Sequence, residues 1–445
     1  MTRSDTIYAV SSGKGKAGIA VVRVSGTGCL WLLNQLTDLT PVPRFAHFVR
    51  LLDRRSGEVI DRCLVLFFPG PASVTGEDVL ELHLHGGLAI VQKLFSMIGE
   101  MSGFRPAQAG EMTRRAFANG KLNLLEVEGL ADVLAAENEP QRKLAMRQFL
   151  GHSSTIYNSW RDQLLACIAM VEAAIDFNDE PDVADRALAS AKQNIKKLLD
   201  ELDNALLLAA RAHAVRTGIR LVIGGAPNVG KSSLLNALAG RPAAIVSPLE
   251  GTTRDVIEAP AMFAGIPVVL VDTAGMRDQT EDFVELEGMA RAQKQFEDAD
   301  ILVWVAAADV KFVAHPPRQP DLILFNKIDL GTEKLIHLRN EFPGPDILGI
   351  SITNGQGLPE AVSALEKLLD AKFSGLDSAV VVRERHRQAV QRTLVILRQV
   401  QTTEVGLELL ADDLRGAAQH LAAVTGHIDV EDFLGRIFSE FCIGK

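Results

Sequence analysis

The period of apolar and polar positions changes three times along the chain. From residue 1 to about 119 the pattern is mixed. Thr6 to Val10, Gly18 to Val24 and Leu64 to Phe68 read as short strands. Val79-Leu80-Glu81-Leu82-His83-Leu84-His85 alternates with period two, so Glu81, His83 and His85 share one strand face and the leucines the other. Gly86-Gly87 then leads into a helix carrying Ile90, Val91 and Leu94. From 120 to 215 the period becomes helical: Leu122, Leu124, Leu125, Val127, Leu130, Val133 and Leu134 fit 3.6 residues per turn, and further helical runs cover Gln163 to Ile175 and about Ala187 to His213. From 216 to 371, apolar strands at Ile219, Val268, Ile301, Leu322 and Ile347 alternate with helices. That order predicts a doubly wound, mostly parallel sheet with ligand loops at the strand C-termini. Residues 372–445 are helical again. The simplest arrangement is a multidomain α/β plus α chain. An α+β domain (1–119) comes first, and two helical segments (120–215 and 372–445) form one domain with an α/β domain (216–371) inserted.

Composition narrows the class. With 445 residues and 47% hydrophobic content the chain builds packed cores. No apolar run approaches the roughly 18 residues that span a bilayer, and the polar start Met1-Thr2-Arg3-Ser4-Asp5 shows no signal peptide. Cys29, Cys63, Cys167 and Cys442 are too scattered for a metal set or a disulfide framework, which fits a reducing cytoplasm. The net charge of −10 means that any nucleic-acid surface is local; Arg114-Arg115 and Arg383 to Arg387 are the candidates, with solvated charge as the alternative.

The chemistry is concentrated in the third segment. The strand before Gly224 ends in Gly225-Ala226-Pro227-Asn228-Val229-Gly230-Lys231-Ser232-Ser233, and Leu234, Leu235 and Leu238 open a helical stripe. Strand, glycine-bounded loop and helix is what a phosphate loop needs: backbone N–H groups and the helix N-terminus cradle the anion. Lys231 serves the β/γ-phosphates, and the Ser232 hydroxyl serves Mg²⁺. Asp272-Thr273-Ala274-Gly275 follows the next parallel strand; Asp272 suits a Mg²⁺ water and the Gly275 N–H a γ-phosphate. Asn326-Lys327-Ile328-Asp329 supplies a carboxylate that accepts the N1–H and 2-amino protons of guanine, a donor pair adenine lacks. Ser351-Ile352-Thr353 stands where a base-backing loop belongs, with only backbone contacts supported. Gly251-Thr252-Thr253-Arg254-Asp255 is a switch segment whose Thr253 suits Mg²⁺. Four motifs in this order define a Ras-like P-loop GTPase. Met276 occupies the place of the water-orienting Gln of Ras-type enzymes and cannot polarise water, so the acidic stretch Asp278 to Glu287 must supply that group. Arg254 and Arg277 are candidate arginine fingers. The Asn228 side-chain oxygen can hold a monovalent cation beside the phosphates.

Together these residues make the chain resemble the MnmE/TrmE family of tRNA-modifying GTPases, end to end. The resemblance is carried by Asp5-Thr6-Ile7, Gly18-Ile19-Ala20-Val21-Val22-Arg23-Val24-Ser25-Gly26, Thr75-Gly76-Glu77-Asp78 through His85-Gly86-Gly87, Gly110-Glu111, Arg115 to Lys121, and the terminus Cys442-Ile443-Gly444-Lys445. It implies a homodimer formed through the N-terminal domains. It also implies a folate-bound one-carbon unit (5-formyl- or methylene-tetrahydrofolate) held by Arg23, Glu81, Lys121 and Lys445. An FAD-dependent partner of the MnmG/GidA type would complete a heterotetramer that modifies C5 of the wobble uridine of certain tRNAs. The GTP-contacting first switch runs Ser247-Pro248-Leu249-Glu250-Gly251-Thr252-Thr253. K⁺ falls to Asn228, Ser247, Leu249 and Thr252, and Mg²⁺ to Ser232 and Thr253. The water-orienting glutamate aligns with Glu285, three residues before Gly288, with Glu281 and Glu287 as alternatives because the segment after Gly275 is one residue longer than usual. Cys442 is a candidate catalytic thiol, with a structural tail as the alternative.

Other readings bound this one. His83-x-His85 suggests a metal pair, against a polar groove lining. Asp176, Asp179, Glu180 and Asp182 suggest a metal loop, against a solvated turn. The loop Ser11-Ser12-Gly13-Lys14-Gly15-Lys16 reads as a plain turn. A GTP-switched ribosome-assembly factor shares the four motifs but carries its RNA module after the GTPase domain.

Overall fold

The computed structural model describes residues 5–13, 15–177, 181–239, 257–263, 266–272, 293, 295–310, 315–373, 376–402, 406–426, 441 and 444. The chain forms two compact units. One takes Met1–Ala131, Gln148–Lys192 and Thr403–Lys445; the other takes Asp132–Arg147 and Gln193–Thr402.

The first unit is built on a six-stranded sheet of order β3-β4-β5-β2-β1-β6. Its strands are β1 (Thr6–Val10), β2 (Ala17–Ser25), β3 (His47–Asp53), β4 (Glu58–Phe68), β5 (Val79–Gly86) and β6 (Phe104–Pro106). All neighbours are antiparallel except β1 and β6. The period-two pattern decides the faces. Val22, Val24, Val65, Phe67, Leu80, Leu82 and Leu84 pack with Leu32, Leu33 and Leu36 of α1 (Cys29–Leu36) and with Leu94 and Ile98 of α2 (Leu88–Gly99). The other face is covered at β1, where Ile7 and Ala9 meet Met112 of α3 (Glu111–Ala118). Over β3 and β4 it is open.

β4 is longer than the apolar run Leu64 to Phe68 predicts. It starts at Glu58, and its pairing with β3 shifts register between Leu51 and Leu52. The shift and the polar residues Asp61 and Arg62 break the alternation that sequence reading depends on.

A buried ion network fixes α3. Glu111, 6% exposed, accepts from both Arg105 Nη atoms (2.9 and 2.6 Å) and from the Gln108 backbone N–H (2.9 Å). Arg115 links it to Glu77, which accepts from the Ser25 hydroxyl. Burial raises the Glu111 carboxyl, but the guanidinium groups and the Gln108 N–H outweigh it and hold its pKa at about 2, below the usual 4.5. A depressed carboxylate pKa contributes stability above pH 4.5 that is lost as pH falls through 4.5 towards 2. Glu111→Gln is expected to cost about 2 kcal/mol, because it removes the buried carboxylate that Arg105, Arg115 and the Gln108 N–H share. Urea unfolding of wild type and variant at neutral and acid pH checks both the loss and its convergence at acid pH.

The helices of this unit include α4 (Leu124–Ala135), whose last residues pass into the other unit, and α6 (His152–Asp176). Between them lies α5 (Glu139–Phe149), and α7 (Pro181–Thr217) follows. The helix Leu407–Thr425 packs along α6 through Leu410, Leu414, Ala417 and Leu421, spaced three or four residues apart. Arg415 donates to Glu172 at 2.6 Å across that seam. Asp176 ends α6, while Asp182 sits in the first turn of α7, where a carboxylate favours the helix N-terminus; Asp179 and Glu180 lie outside the described residues. Cys29, Cys63 and Cys167 are free, buried thiols. Burial pushes all three above the ordinary thiol range, Cys63 to about 12.

The second unit carries a six-stranded sheet of order β12-β11-β10-β7-β9-β8. These are β7 (Ile219–Gly225), β8 (Ile257–Phe263), β9 (Ile266–Asp272), β10 (Ile301–Ala307), β11 (Leu322–Asn326) and β12 (Asp346–Gly349). All neighbours are parallel except the edge strand β8, antiparallel to β9 and absent from the sequence-based expectation. β10 is buried at every residue, as a central parallel strand requires. The chain builds β8 and β9 on one side of β7 and then crosses to β10 on the other. That reversal sets a ligand crevice at the C-terminal end of β7. Among the described residues no helix is long and apolar enough to cross a membrane.

Candidate nucleotide site and N-terminal ligand face

The crevice at the end of β7 is where the phosphate loop lies. α8 (Lys231–Ala239) begins directly after Gly230, so the loop's N–H groups and the helix N-terminus converge on one point. Asn228 is exposed and left-handed at φ 62°, while Val229 is 1% exposed and anchors the loop in the core. The Lys231 ammonium folds into the loop and donates to the carbonyls of Gly225 (3.0 Å) and Ala226 (2.8 Å). Ser232 and Ser233 are exposed in the first turn of α8, which suits Ser232 for a divalent cation beside bound phosphate.

The base-recognition motif ties itself to this loop. Asn326 is 3% exposed; its amide donates to the Val229 carbonyl at 2.8 Å, and its Oδ1 accepts from the Ile352 N–H at 3.3 Å. It therefore braces the loop against the Ser351-Ile352-Thr353 segment. Gly230 has to be glycine: at φ 98° it is left-handed, and a β-carbon there would collide with the Asn326 amide. Lys327, at φ 61°, donates to the Asn228 carbonyl at 2.9 Å and to Asp309 at 2.6 Å. The Lys327 ammonium holds the Asp309 carboxyl below its ordinary pKa. No sequence signal pointed to Asp309, since only the parallel pairing of β10 with β11 brings the two together. Asp329 is exposed in the short turn Ile328–Leu330, with no hydrogen bond or ion pair among the described residues, so its carboxylate is available to guanine. Ser351 is fully buried, and its backbone N–H donates to the Gln356 carbonyl at 2.8 Å.

Other predicted residues are not brought into view. Ser247, Pro248, Leu249, Glu250, Gly251, Thr252, Thr253, Thr273, Ala274, Gly275, Glu281, Glu285, Glu287, Cys442 and Lys445 lie outside the described residues, as do Arg254 and Arg277. Asp272 ends β9, its backbone in register with Ile223.

On the N-terminal sheet, β2 and β5 set Arg23 directly opposite Glu81. Arg23 donates through Nε (2.9 Å) and Nη2 (2.7 Å) to Glu81 Oε1, and His83 Nε2 meets Oε2 at 3.2 Å. Burial opposes ionisation of Glu81, yet Arg23 and His83 prevail and its carboxyl pKa is lowered. His85 turns to a different carboxylate: Asp61 accepts from its backbone N–H (2.8 Å) and faces its Nδ1 at 2.7 Å. The two histidines thus serve separate carboxylates, and among the described residues no cluster of His, Cys, Asp and Glu could hold a metal. Lys121 is exposed after α3 and makes no hydrogen bond or ion pair with Arg23 or Glu81 among the described residues. The loop after β1 is more than a turn. Ser11 Oγ donates to the Gly444 carbonyl at 2.8 Å, and Gly444, left-handed at φ 100°, lies so close to Val10 that a β-carbon would collide with its carbonyl. Val10 adjoins Ala9, which pairs with Arg23, so Gly444 is pinned one strand away from the Arg23–Glu81 pair.

Comparison with known proteins settles the family. Residues 6–121 match the model described as GTP-binding protein TrmE N-terminus, and residues 124–442 match the MnmE helical domain. The tRNA modification GTPase MnmE of Azorhizobium caulinodans is 45% identical over the whole of both chains. The protein of the same name from a Methylobacterium species is 44% identical over 99% of this chain and all of that one. The chain belongs to the MnmE/TrmE family of tRNA modification GTPases. An MnmE-family chain is a GTP hydrolase, and the described residues include its phosphate loop with Lys231 and the brace to that loop from Asn326 and Lys327.

Proposed function

We propose that this chain is a cytoplasmic, homodimeric, K⁺-stimulated GTPase that acts with an FAD-dependent partner of the MnmG/GidA type on certain tRNAs. Together they place an aminomethyl or carboxymethylaminomethyl group on C5 of the wobble uridine, drawing the carbon from a tetrahydrofolate. In this reading the G domain (216–371) is inserted between the two parts of the helical domain (120–215 and 372–445). GTP hydrolysis brings the G domains of two copies together and gates the modification. Ser232 and Thr253 hold Mg²⁺, while Asn228, Ser247, Leu249 and Thr252 hold K⁺. Glu285 orients the attacking water. Arg23, Glu81, Lys121 and Lys445 hold the folate.

The observation that carries this reading is the pinning of Gly444 beside the strand pair that presents Arg23 and Glu81. It supports a single ligand site drawn from both ends of the chain. An arginine and lysines suit the glutamate carboxylates of a folate, and a carboxylate suits the pterin N–H groups. The exposed, left-handed Asn228 supports the cation assignment.

GTP hydrolysis in matched K⁺ and Na⁺ buffers tests the cation half. Wild type is expected to turn over at least about tenfold faster in K⁺, and Asn228→Ala to lose that advantage while keeping its slow Na⁺ rate. Equal rates in both salts for wild type would remove K⁺ from the mechanism.

A further inference from the structure

The open face over β3 and β4 carries an arrangement that neither GTP hydrolysis nor the Arg23–Glu81 site uses. Antiparallel register sets Phe48 opposite Leu64 and Arg50 opposite Arg62. Phe48 is 64% and Leu64 41% exposed, and both arginines are exposed. Like charges directly opposite on a strand pair destabilise it. Among the described residues neither guanidinium has an ion pair; Arg62 instead lies 5.3 Å over the Phe48 ring. Phe45, 60% exposed, and Arg44, whose guanidinium lies 5.7 Å over Phe68, extend the patch. The nearby carboxylates are committed elsewhere, Asp61 to His85 and Asp53 to Lys93.

Of the arginines that stand out in the sequence, Arg114 is exposed with no ion pair among the described residues, and three others are committed. Arg115 is held by Glu77 and Glu111, Arg383 by Asp132, and Arg387 by Glu384. Arg50 and Arg62 are twelve positions apart and meet only through the strand register.

We propose that this strand pair docks single-stranded RNA, its phosphates bridging Arg50 and Arg62 and its unstacked bases resting on Phe48 and Phe45. The inference rests on the reading that the chain acts on tRNA. A phosphate between the two guanidinium groups relieves their repulsion and forms charge-assisted hydrogen bonds. Exposed aromatic rings beside such a site select bases free to stack, those of a loop rather than a helix. A second copy of this chain fits less well. An isologous contact sets the same patch against itself and would gather four arginines of like charge.

The test uses the full-length chain and fluorescence anisotropy over a salt series. The probes are an unmodified anticodon stem-loop with uridine at the wobble position and a blunt RNA duplex. Arg50→Ala/Arg62→Ala is expected to weaken stem-loop binding roughly tenfold or more and to flatten the log K against log salt slope by about 1.4, two single-strand contacts. Phe48→Ala is expected to cost roughly tenfold with the slope unchanged. Arg50→Lys/Arg62→Lys keeps the charge and the slope. Basal GTP turnover and sedimentation stay at wild-type values in all three. Unchanged stem-loop affinity, or an equal loss on the duplex, overturns the proposal. A shift in sedimentation of the alanine variants also overturns it, because the face then joins copies of the chain. A wild-type chain that binds neither RNA takes down the tRNA reading as well.

Discussion

Lys231→Ala is expected to lower kcat/KM for GTP by about 10²–10³-fold and to fail to restore wobble-uridine modification in a strain lacking the gene. The Lys231 ammonium is 7% exposed and already sits within the loop that receives the phosphates, held by the Gly225 and Ala226 carbonyls. Its positive charge is therefore already within the loop before nucleotide arrives. Alanine removes the charge and leaves those carbonyls without this donor. Phosphate release in K⁺ buffer and mass spectrometry of wobble nucleosides read the two effects. Turnover within tenfold of wild type would mean that the loop's backbone donors alone carry catalysis.

The second large effect is expected in the other unit. Arg23→Ala should abolish saturable binding of 5-formyl-tetrahydrofolate and wobble modification, while GTP turnover stays within about twofold of wild type. Arg23 places two donors, on Nε and Nη2, on Glu81 Oε1, and His83 meets Oε2. Without Arg23 the Glu81 carboxylate loses its main counter-charge and the guanidinium that fixes its orientation, so its pKa rises. Arg23→Lys restores charge without the fork and should recover binding only in part. Isothermal titration with the folate, run beside a GTPase assay on the same preparation, separates the two sites. Undiminished folate binding by Arg23→Ala would move the ligand off this face.

The residues that could be read from sequence are those whose role is local. The strand, glycine loop and helix around Gly225 to Leu238 form one contiguous unit, and β5 announces its two faces through strict alternation. The chemistry that escaped reading is all cross-chain. Asp309 reaches Lys327 only because β10 lies beside β11. Asp61 reaches His85 because β4 runs antiparallel beside β5, and the two residues lie just past the Leu64–His83 pair. Asn326 belongs to the expected guanine-binding motif, and its burial adds a role as a brace between loops that the motif alone does not show. β3 went unseen because Phe48 and Arg50 face outward, so its hydrophobic period follows an open surface rather than a core.

The burial of Cys29, Cys63 and Cys167 has a practical corollary. A maleimide or iodoacetamide reagent needs an accessible thiolate, and these three offer neither access nor ionisation at neutral pH. The wild-type chain therefore serves as its own single-cysteine background. One adduct by intact mass under native conditions would report Cys442, and protection of that adduct by added folate would turn the C-terminal tail into an optical reporter of the N-terminal site.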